Sequence, residues 1–178
     1  MKAKHIFLGL LLFYITGSGI SYAQHLMHYT SERFDYSLLI PEDWKRNDQL
    51  KGENLALVLV SPEDASMSVS FYSLMGVEEE EFINRFQSNL EKQLDNISIE
   101  EKGEFKSRDD EATYLLFDYE KDGITQREKL SFYVRKKEIA VLAATHEKDK
   151  FHEILPVLEK VFKSFTFETK QEKVEDLD

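Results

Sequence analysis

The sequence contains no cysteine in its 178 residues. Disulfide bonds, thiolate nucleophiles and cysteine-bound metals are therefore excluded. The bacterial lipoprotein route is excluded as well, since it needs a lipidated cysteine at the new N-terminus. A chain of this size buries about 70% of its unfolded surface when it folds. The protein can therefore form a core without covalent cross-links.

Glycine is also scarce, with seven residues in the whole chain. Beyond the first twenty-three residues the glycines stand singly, at Gly52, Gly76, Gly103 and Gly123. No glycine-rich phosphate loop can be built from them, and no G-x-S-x-G nucleophile elbow occurs there. Paired carboxylates for glycoside hydrolysis stay open, because the fold and not the sequence sets their separation.

Basic residues are too few to balance the acidic ones. The chain has 23 Lys and Arg against 34 Asp and Glu, a formal net charge of −11. Such a surface repels nucleic acid and anionic lipid, so we expect neither as a partner. The acidic runs Glu78–Glu81 and 109–111 lack the spaced oxygens and the glycine of a calcium loop.

No hydrophobic run is long enough to span a bilayer. The apolar run over residues 6–15 is about ten residues long, whereas a spanning helix needs roughly twenty. Lys2 and Lys4 precede the run, and small residues lead to the Ala23–Gln24 bond. The pattern predicts a secretory signal peptide cut near that bond. We expect a periplasmic or secreted protein that keeps no membrane anchor.

Composition divides the chain into three parts. Residues 1–23 are the predicted signal peptide, and residues 24–168 are predicted to form a single domain, because no Pro-rich or Gly/Ser-rich linker interrupts them. The first residues of that domain, 24–30, are interpreted as an unstructured leader. Residues 169–178 are predicted to be a disordered charged tail with too few apolar side chains to hold it down.

Hydrophobic periodicity predicts strands and two helices. The predicted strands are Arg33–Ile40, Leu55–Val60, Met67–Leu74, Ile97–Lys106, Ala112–Glu120, a return strand after Gly123, and Ile139–Thr145. One amphipathic helix is predicted over 79–94. For the second, a turn is expected from Asp149 to Ile154, with Pro156 in the first turn of the helix proper. This order predicts an α+β fold, in which helices pack on an antiparallel sheet.

One ordered pattern resembles a known superfamily. An early strand ends in Ile40-Pro41-Glu42-Asp43-Trp44, and a helix, a long meander and a terminal amphipathic helix follow, closing with Ser164-Phe165-Thr166-Phe167. Over about Tyr29 to Phe167 the chain resembles the PsbP-like superfamily. That superfamily includes an extrinsic photosystem II subunit, bacterial DcrB-like envelope proteins and a eukaryotic Ran-binding factor. The resemblance implies an α-β-α sandwich around a central antiparallel sheet.

The resemblance also bears on function. Members of the superfamily are mostly non-catalytic binding or assembly factors, and some bacterial relatives resemble adaptors for secreted proteins. The residues linked to manganese or calcium in the photosystem subunit have no counterpart in this sequence, so no cofactor is expected. What the resemblance implies is a binding or accessory protein with a protein partner in the cell envelope.

Four histidines are the only candidate metal ligands of note. His25 and His28 flank Leu26 and Met27, and such a cluster could hold copper or zinc. His146 and His152 lie near acidic residues at a strand–helix junction, but no H-E-x-x-H spacing occurs. The simpler interpretation of both pairs is solvated or incidental histidines.

Tyrosines are the candidate recognition residues. The predicted strands place four of them on faces shared with polar residues: Tyr36, Tyr72, Tyr114 and Tyr133. If a helix leaves one side of the sheet uncovered, they would line a recognition surface, because tyrosine offers contact area and a hydrogen bond together. The alternative is that a helix covers them.

The sequence therefore predicts an exported, non-catalytic binding protein that acts through a sheet face and its flanking loops, including residues 46–54. Two alternatives stay open. The first is an adaptor or chaperone for an exported protein. The second is a metal-assisted hydrolase that uses His146 and His152.

Overall fold

The computed structural model describes residues 25–31, 33–50, 52–108 and 111–168. The predicted signal peptide over 1–23 and the predicted tail over 169–178 lie outside these residues. In the described part of the chain, neither helix has the length and apolar character needed to cross a membrane.

The described residues form ten strands and two helices. The strands are β1 (Leu26–Ser31), β2 (Tyr36–Pro41), β3 (Lys45–Arg46), β4 (Leu55–Val60), β5 (Ser66–Ser73), β6 (Asp95–Lys106), β7 (Glu111–Lys121), β8 (Ile124–Arg135), β9 (Glu138–Glu147) and β10 (Thr166–Phe167). The helices are α1 (Glu79–Gln93) and α2 (Phe151–Ser164).

Seven strands form the main sheet, in the order β3-β4-β5-β9-β8-β7-β6, with every neighbouring pair antiparallel. The predicted meander is its centre. The β7–β8 hairpin turns through Asp122 and Gly123, whose positive φ angles of 53° and 77° suit a two-residue hairpin loop. The β8–β9 turn uses Lys136, at a φ of 54°. The two tight turns fix the register of the three strands.

A smaller sheet has the order β1-β2-β10. The prediction of an unstructured leader over 24–30 is wrong from residue 26 onward, because β1 pairs with β2 from Leu26 opposite Pro41 to Ser31 opposite Tyr36. The pattern of β1 shows no clean alternation, and its strand conformation comes from this pairing. Leu26 and Tyr29 pack against the core while their neighbours stay exposed.

The two helices pack on opposite faces of the main sheet. Helix α2 and the small sheet cover one face, which we call the α2 face; its core includes Tyr36, Tyr133 and Phe165. Helix α1 packs on the other, the α1 face, over Phe117 and Phe132. The predicted α+β class and the sandwich of helices around an antiparallel sheet are therefore confirmed.

The start of α2 differs from its prediction. No separate turn spans Asp149 to Ile154: the helix begins at Phe151, and Pro156 lies inside it as an exposed residue. Proline removes one helical hydrogen bond, here to the carbonyl of His152. Phe151 and Ile154 are both buried, and their packing stabilises the turn that proline disfavours.

Candidate functional site

The four candidate histidines lie on or beside three elements, β1, β9 and α2. His25 precedes β1 and His28 lies on it, both exposed. His146 is buried on β9, whereas His152 is exposed in the first turn of α2. Burial, reinforced by the nearby Lys150 ammonium, lowers the pKa of His146. Among the residues that the structure describes, no group of three or more His, Asp and Glu side chains could hold a metal ion.

Two of the four candidate tyrosines are buried and cannot line a recognition surface. Tyr36 and Tyr133 have no exposed side-chain area, so the prediction that they line a surface is wrong. Both lie on the α2 face, where Phe165 packs between them with ring centroids 5.7 and 4.5 Å away. The Tyr133 hydroxyl donates a 2.7 Å hydrogen bond to the Phe162 carbonyl. Burial raises the pKa of both tyrosines.

Tyr114 is half-buried at the edge of the α2 face. Its hydroxyl donates to the Glu101 carboxylate, and this hydrogen bond raises the pKa of Tyr114. The Lys129 ammonium lies 4.7 Å from the centre of the tyrosine ring. The cleft beside them, of about 190 Å³, is also bounded by Phe162. It is much smaller than the other depressions described below, and Tyr114 and Lys129 already contact each other in it.

Tyr72 lies at the centre of a different surface. It points to the α1 face from β5 and meets the side of α1 that faces this strand. Its ring centre is 5.8 Å from that of Phe82 and 5.9 Å from that of Phe86, and those two rings are 6.0 Å apart. All three rings are half-buried. They form an aromatic cluster that is open to solvent on one side.

This cluster forms the base of an open groove of about 670 Å³, which we call the α1 groove. Its apolar walls come from Tyr72, Leu74, Met75, Phe82, Phe86 and Leu90. Met75 is 88% exposed and lies in the turn before α1 at a φ of 49°. Arg85, Asn89 and Gln93 form a polar rim along the helix. Tyrosine, phenylalanine, methionine and arginine are the residues that protein interfaces favour.

A buried carboxylate on the α2 face is engaged in ion pairs. On the α2 face, Arg127 binds the buried Asp118 with both arms, at 2.7 and 2.9 Å, and Lys148 lies 2.7 Å from the same carboxylate. Burial alone would raise the pKa of Asp118, but the hydrogen bonds from Arg127 and Lys148 outweigh it and hold the pKa below its ordinary value. A carboxylate held this way is not a free general base.

On the α1 face, burial raises the pKa of Glu128, against the opposing effect of hydrogen bonds from Thr145 and Tyr119. The Thr145 hydroxyl donates to Glu128 at 2.9 Å. Glu128 and Asp118 lie on opposite faces of the sheet, on neighbouring strands, so they cannot act on one substrate together. Perturbed groups often mark active sites, but Asp118 and Glu128 belong to two separate structural contacts.

The loop over residues 46–54, also proposed as a recognition element, bounds a second depression of about 440 Å³. Arg46 and Asp48 form a 2.6 Å ion pair there, and Leu50 is exposed. The depression is less aromatic than the α1 groove. Among the described residues, the depression and the α1 groove share no lining residue.

Sequence reasoning found Tyr72 but missed its partners in the groove. The helical pattern over 79–94 does not indicate that Phe82, Phe86 and Leu90 stay partly exposed. The structure shows that this stripe is broad: Ile83 is buried, and the other three are only half-buried. The signal for Met75 was its position before Gly76, where a turn places a side chain at a tip.

Comparisons with known proteins show the fold of this chain and nothing finer. No protein-family model matches the sequence, and no curated protein matches it. Among solved structures, the chain is similar to cyanobacterial PsbP from Synechocystis sp. PCC 6803, with a TM-score of 0.62, 13% identity, and coverage of 84% of this chain and 95% of that one.

Two further solved structures are similar at the same level. LpqN of Mycobacterium tuberculosis, described as involved in cell envelope biogenesis, has a TM-score of 0.64 and 13% identity, over 82% of this chain and 92% of LpqN. The Saccharomyces cerevisiae Ran-binding protein Mog1p has a TM-score of 0.63 and 8% identity, over 82% of this chain and 96% of Mog1p. The chain therefore has the PsbP-like fold shared by PsbP, LpqN and Mog1p.

Proposed function

We propose that this chain is a non-catalytic binding or accessory protein, and that it recognises a protein partner through the α1 groove. One observation carries the proposal: the 88% exposed Met75 lies beside three half-buried aromatic rings, those of Tyr72, Phe82 and Phe86. The free energy falls when a partner removes such a surface from water, and aromatic and methionine side chains are enriched in protein interfaces.

Two neighbours of the same fold support a protein partner. Mog1p is a Ran-binding protein, and LpqN takes part in cell envelope biogenesis. At 8 and 13% identity, these names support a class of function and not a particular partner.

We also propose that the protein works outside the cytoplasm, in the periplasm or the medium. The proposal rests on the pattern of residues 2–23, where two lysines, an apolar run and small residues precede Gln24. Sequencing the N-terminus of the protein isolated from fractionated cells tests it. The expected terminus is Gln24 in the exported fraction, and an uncut chain in the cytoplasm contradicts it.

Photo-crosslinking in the native cell tests the recognition surface. A photoreactive phenylalanine derivative replaces Met75 in one full chain, and in a second chain replaces Ile124, an exposed apolar residue at the tip of the β7–β8 hairpin. We expect one dominant protein adduct from position 75 and none from position 124. The adduct should disappear when Tyr72→Ala and Phe82→Ala are added to the position 75 chain.

Two outcomes decide against the proposal. Identical adducts from both positions, or none from position 75, mean that the groove is not a recognition surface.

The metal-assisted hydrolase makes a separate prediction, because it requires bound metal. Stoichiometric zinc or copper in the purified protein, lost with His146→Ala and His152→Ala, would favour that alternative.

A further inference from the structure

We infer that the α1 groove takes an amphipathic helix of the protein partner, about three turns long, with basic residues flanking its apolar stripe. The inference deepens the proposed function and rests on it. Three features of the described residues carry it: the spacing of side chains along α1, the uncovered part of the α1 face, and the charge of the helix.

The exposed flank of α1 has the pattern of a helix-packing surface. Phe82, Phe86 and Leu90 form one row at four-residue spacing, and the polar residues Arg85, Asn89 and Gln93 form a second row beside it. Side chains four residues apart form ridges, and a neighbouring helix places its own ridge in the groove between two such rows. From residue 82 to residue 93 the rows extend about 16 Å, which matches three helical turns.

The α1 face has room for a second helix. Seven strands span roughly 29 Å, whereas one helix with its side chains is about 10–12 Å wide. On the α2 face, α2 and the three-stranded sheet share this width. On the α1 face, α1 is the only described helix; it contacts β6, packs over β7, β8 and β9, and meets Tyr72 of β5 with one flank. Beside it on β5, Ser68, Ser70 and Tyr72 are half-buried.

Acidic residues outnumber basic ones along α1, although the charged residue that lines the groove itself is Arg85. From Glu78 to Gln93 the chain has five acidic and two basic residues, and one of the basic ones, Arg85, is paired with Glu81. Lys136 and Lys137 are exposed in the turn whose backbone carbonyl binds the Leu74 amide, so basic charge is present near that end of the groove. The formal net charge of −11 for the whole chain keeps the overall field attractive to basic segments.

Designed peptides test the inference without knowledge of the natural partner. The probe is a fluorescent 15-residue peptide with leucines at i, i+4, i+7 and i+11 and lysines on its flanks. A second peptide has glutamate in place of each lysine, and a third has a central proline that breaks the helix. Fluorescence anisotropy measures binding to the full chain, to Met75→Asp and to Ile124→Asp.

The lysine peptide should bind the full chain and Ile124→Asp equally, and Met75→Asp at least tenfold more weakly. Because Met75→Asp makes the protein more acidic, this loss would report apolar contact and not charge. The glutamate and proline peptides should each bind at least tenfold more weakly than the lysine peptide. Met75 is highly exposed, so its replacement leaves the fold intact, which circular dichroism checks.

Several results would overturn the inference. They are no binding of the lysine peptide, equal binding to Met75→Asp, or equal binding of the proline peptide, which would indicate an extended occupant. A dimer of the chain that Met75→Asp abolishes in sedimentation would assign the groove to a second copy. If crosslinking at position 75 succeeds while the peptides fail, the recognition surface stands and the helical occupant does not.

Discussion

The two faces of the main sheet are built from the same strands but differ in how completely they are covered. Neighbouring residues of β5 show the contrast, since Phe71 is buried on the α2 face while Tyr72 is half-buried on the α1 face. Helix α2 and the small sheet together close the α2 face, whereas in the described part of the chain α1 is the element that packs on the other. One sheet thus provides a closed structural side and a side with an open aromatic groove.

The two faces also differ in the partners of their carboxylates. Asp118 on the α2 face is held ionised by Arg127 and Lys148, which together bring three strong contacts of 2.7–2.9 Å. Glu128 on the α1 face has hydroxyl partners, Thr145 among them, and its pKa is raised by burial. The α2 face holds a carboxylate paired with two cations, while the α1 face holds a carboxyl group whose pKa is raised.

Truncation of one aromatic residue on each face gives the largest expected effect. Phe165→Ala should reduce the free energy of unfolding by about 3–5 kcal/mol, because the ring is buried against Tyr133 and Phe167 and a cavity would remain. Phe82→Ala should cost less than about 2 kcal/mol, because its ring is only half-buried. Urea unfolding measures both, and equal losses would contradict the difference between the faces.

Neutralising the buried carboxylate of the α2 face comes next. Asp118→Asn should cost about 2 kcal/mol, less than for a fully buried pair, because Arg127 and Lys148 keep 24 and 43% of their side chains exposed. The depressed pKa of Asp118 stabilises the fold above the unfolded pKa near 3.8, and this contribution is lost as pH falls through the folded pKa.

Unfolding followed from pH 7 down to pH 2 checks this prediction. The wild-type protein should lose stability below about pH 4, and Asp118→Asn should lose less over the same range. Parallel pH profiles for the two proteins would show that Asp118 is not the linked group.

Substitution of a glycine on the edge strand β6 should have a smaller effect on stability, through a contact on the α2 face. A Cβ added to Gly103 would lie 2.9–3.1 Å from the Tyr114 ring, so Gly103→Ala must displace that ring. The side chain can rotate, and we expect a loss of about 1 kcal/mol. In a Tyr114→Ala background the same substitution should cost almost nothing. A cost that persists in the double variant would place its origin in the backbone and not in the ring.

The smallest expected effect has the opposite sign and lies on the α1 face. The raised pKa of Glu128 stabilises the fold fully below the unfolded value of 4.5, and this contribution is lost as pH rises through the folded pKa. Glu128→Gln keeps an acceptor for Thr145 without a buried charge, so it should stabilise the protein slightly at pH 7. The gain should vanish below about pH 4. Destabilisation at pH 7 would mean that the carboxylate has a favourable partner.

Local patterns predicted much of the secondary structure. Strand β4 has the predicted bounds, Leu55–Val60, and α1 ends one residue before its prediction. The β7–β8 turn follows directly from Asp122-Gly123. These features depend on periodicity and turn chemistry within a few residues, which the sequence displays. Strand β1 was missed because its conformation comes from pairing with β2 and not from its own pattern.

The candidate site was less predictable, because burial depends on what packs above a face. Tyr36, Tyr72, Tyr114 and Tyr133 gave similar signals in the sequence, yet two are fully buried and two are not. Alternation assigns a tyrosine to a face, but it does not state whether a helix covers that face. Met75 gave no signal beyond the glycine that follows it.

The sequence by itself determined the α+β class, the meander and the absence of cysteine chemistry, because these follow from residue identity and short-range periodicity. Tertiary structure alone decided which tyrosines are exposed, where Pro156 is tolerated, and that α1 leaves an aromatic groove open. Coverage of a sheet face is set by contacts between residues far apart in the chain. Local patterns carry no record of those contacts.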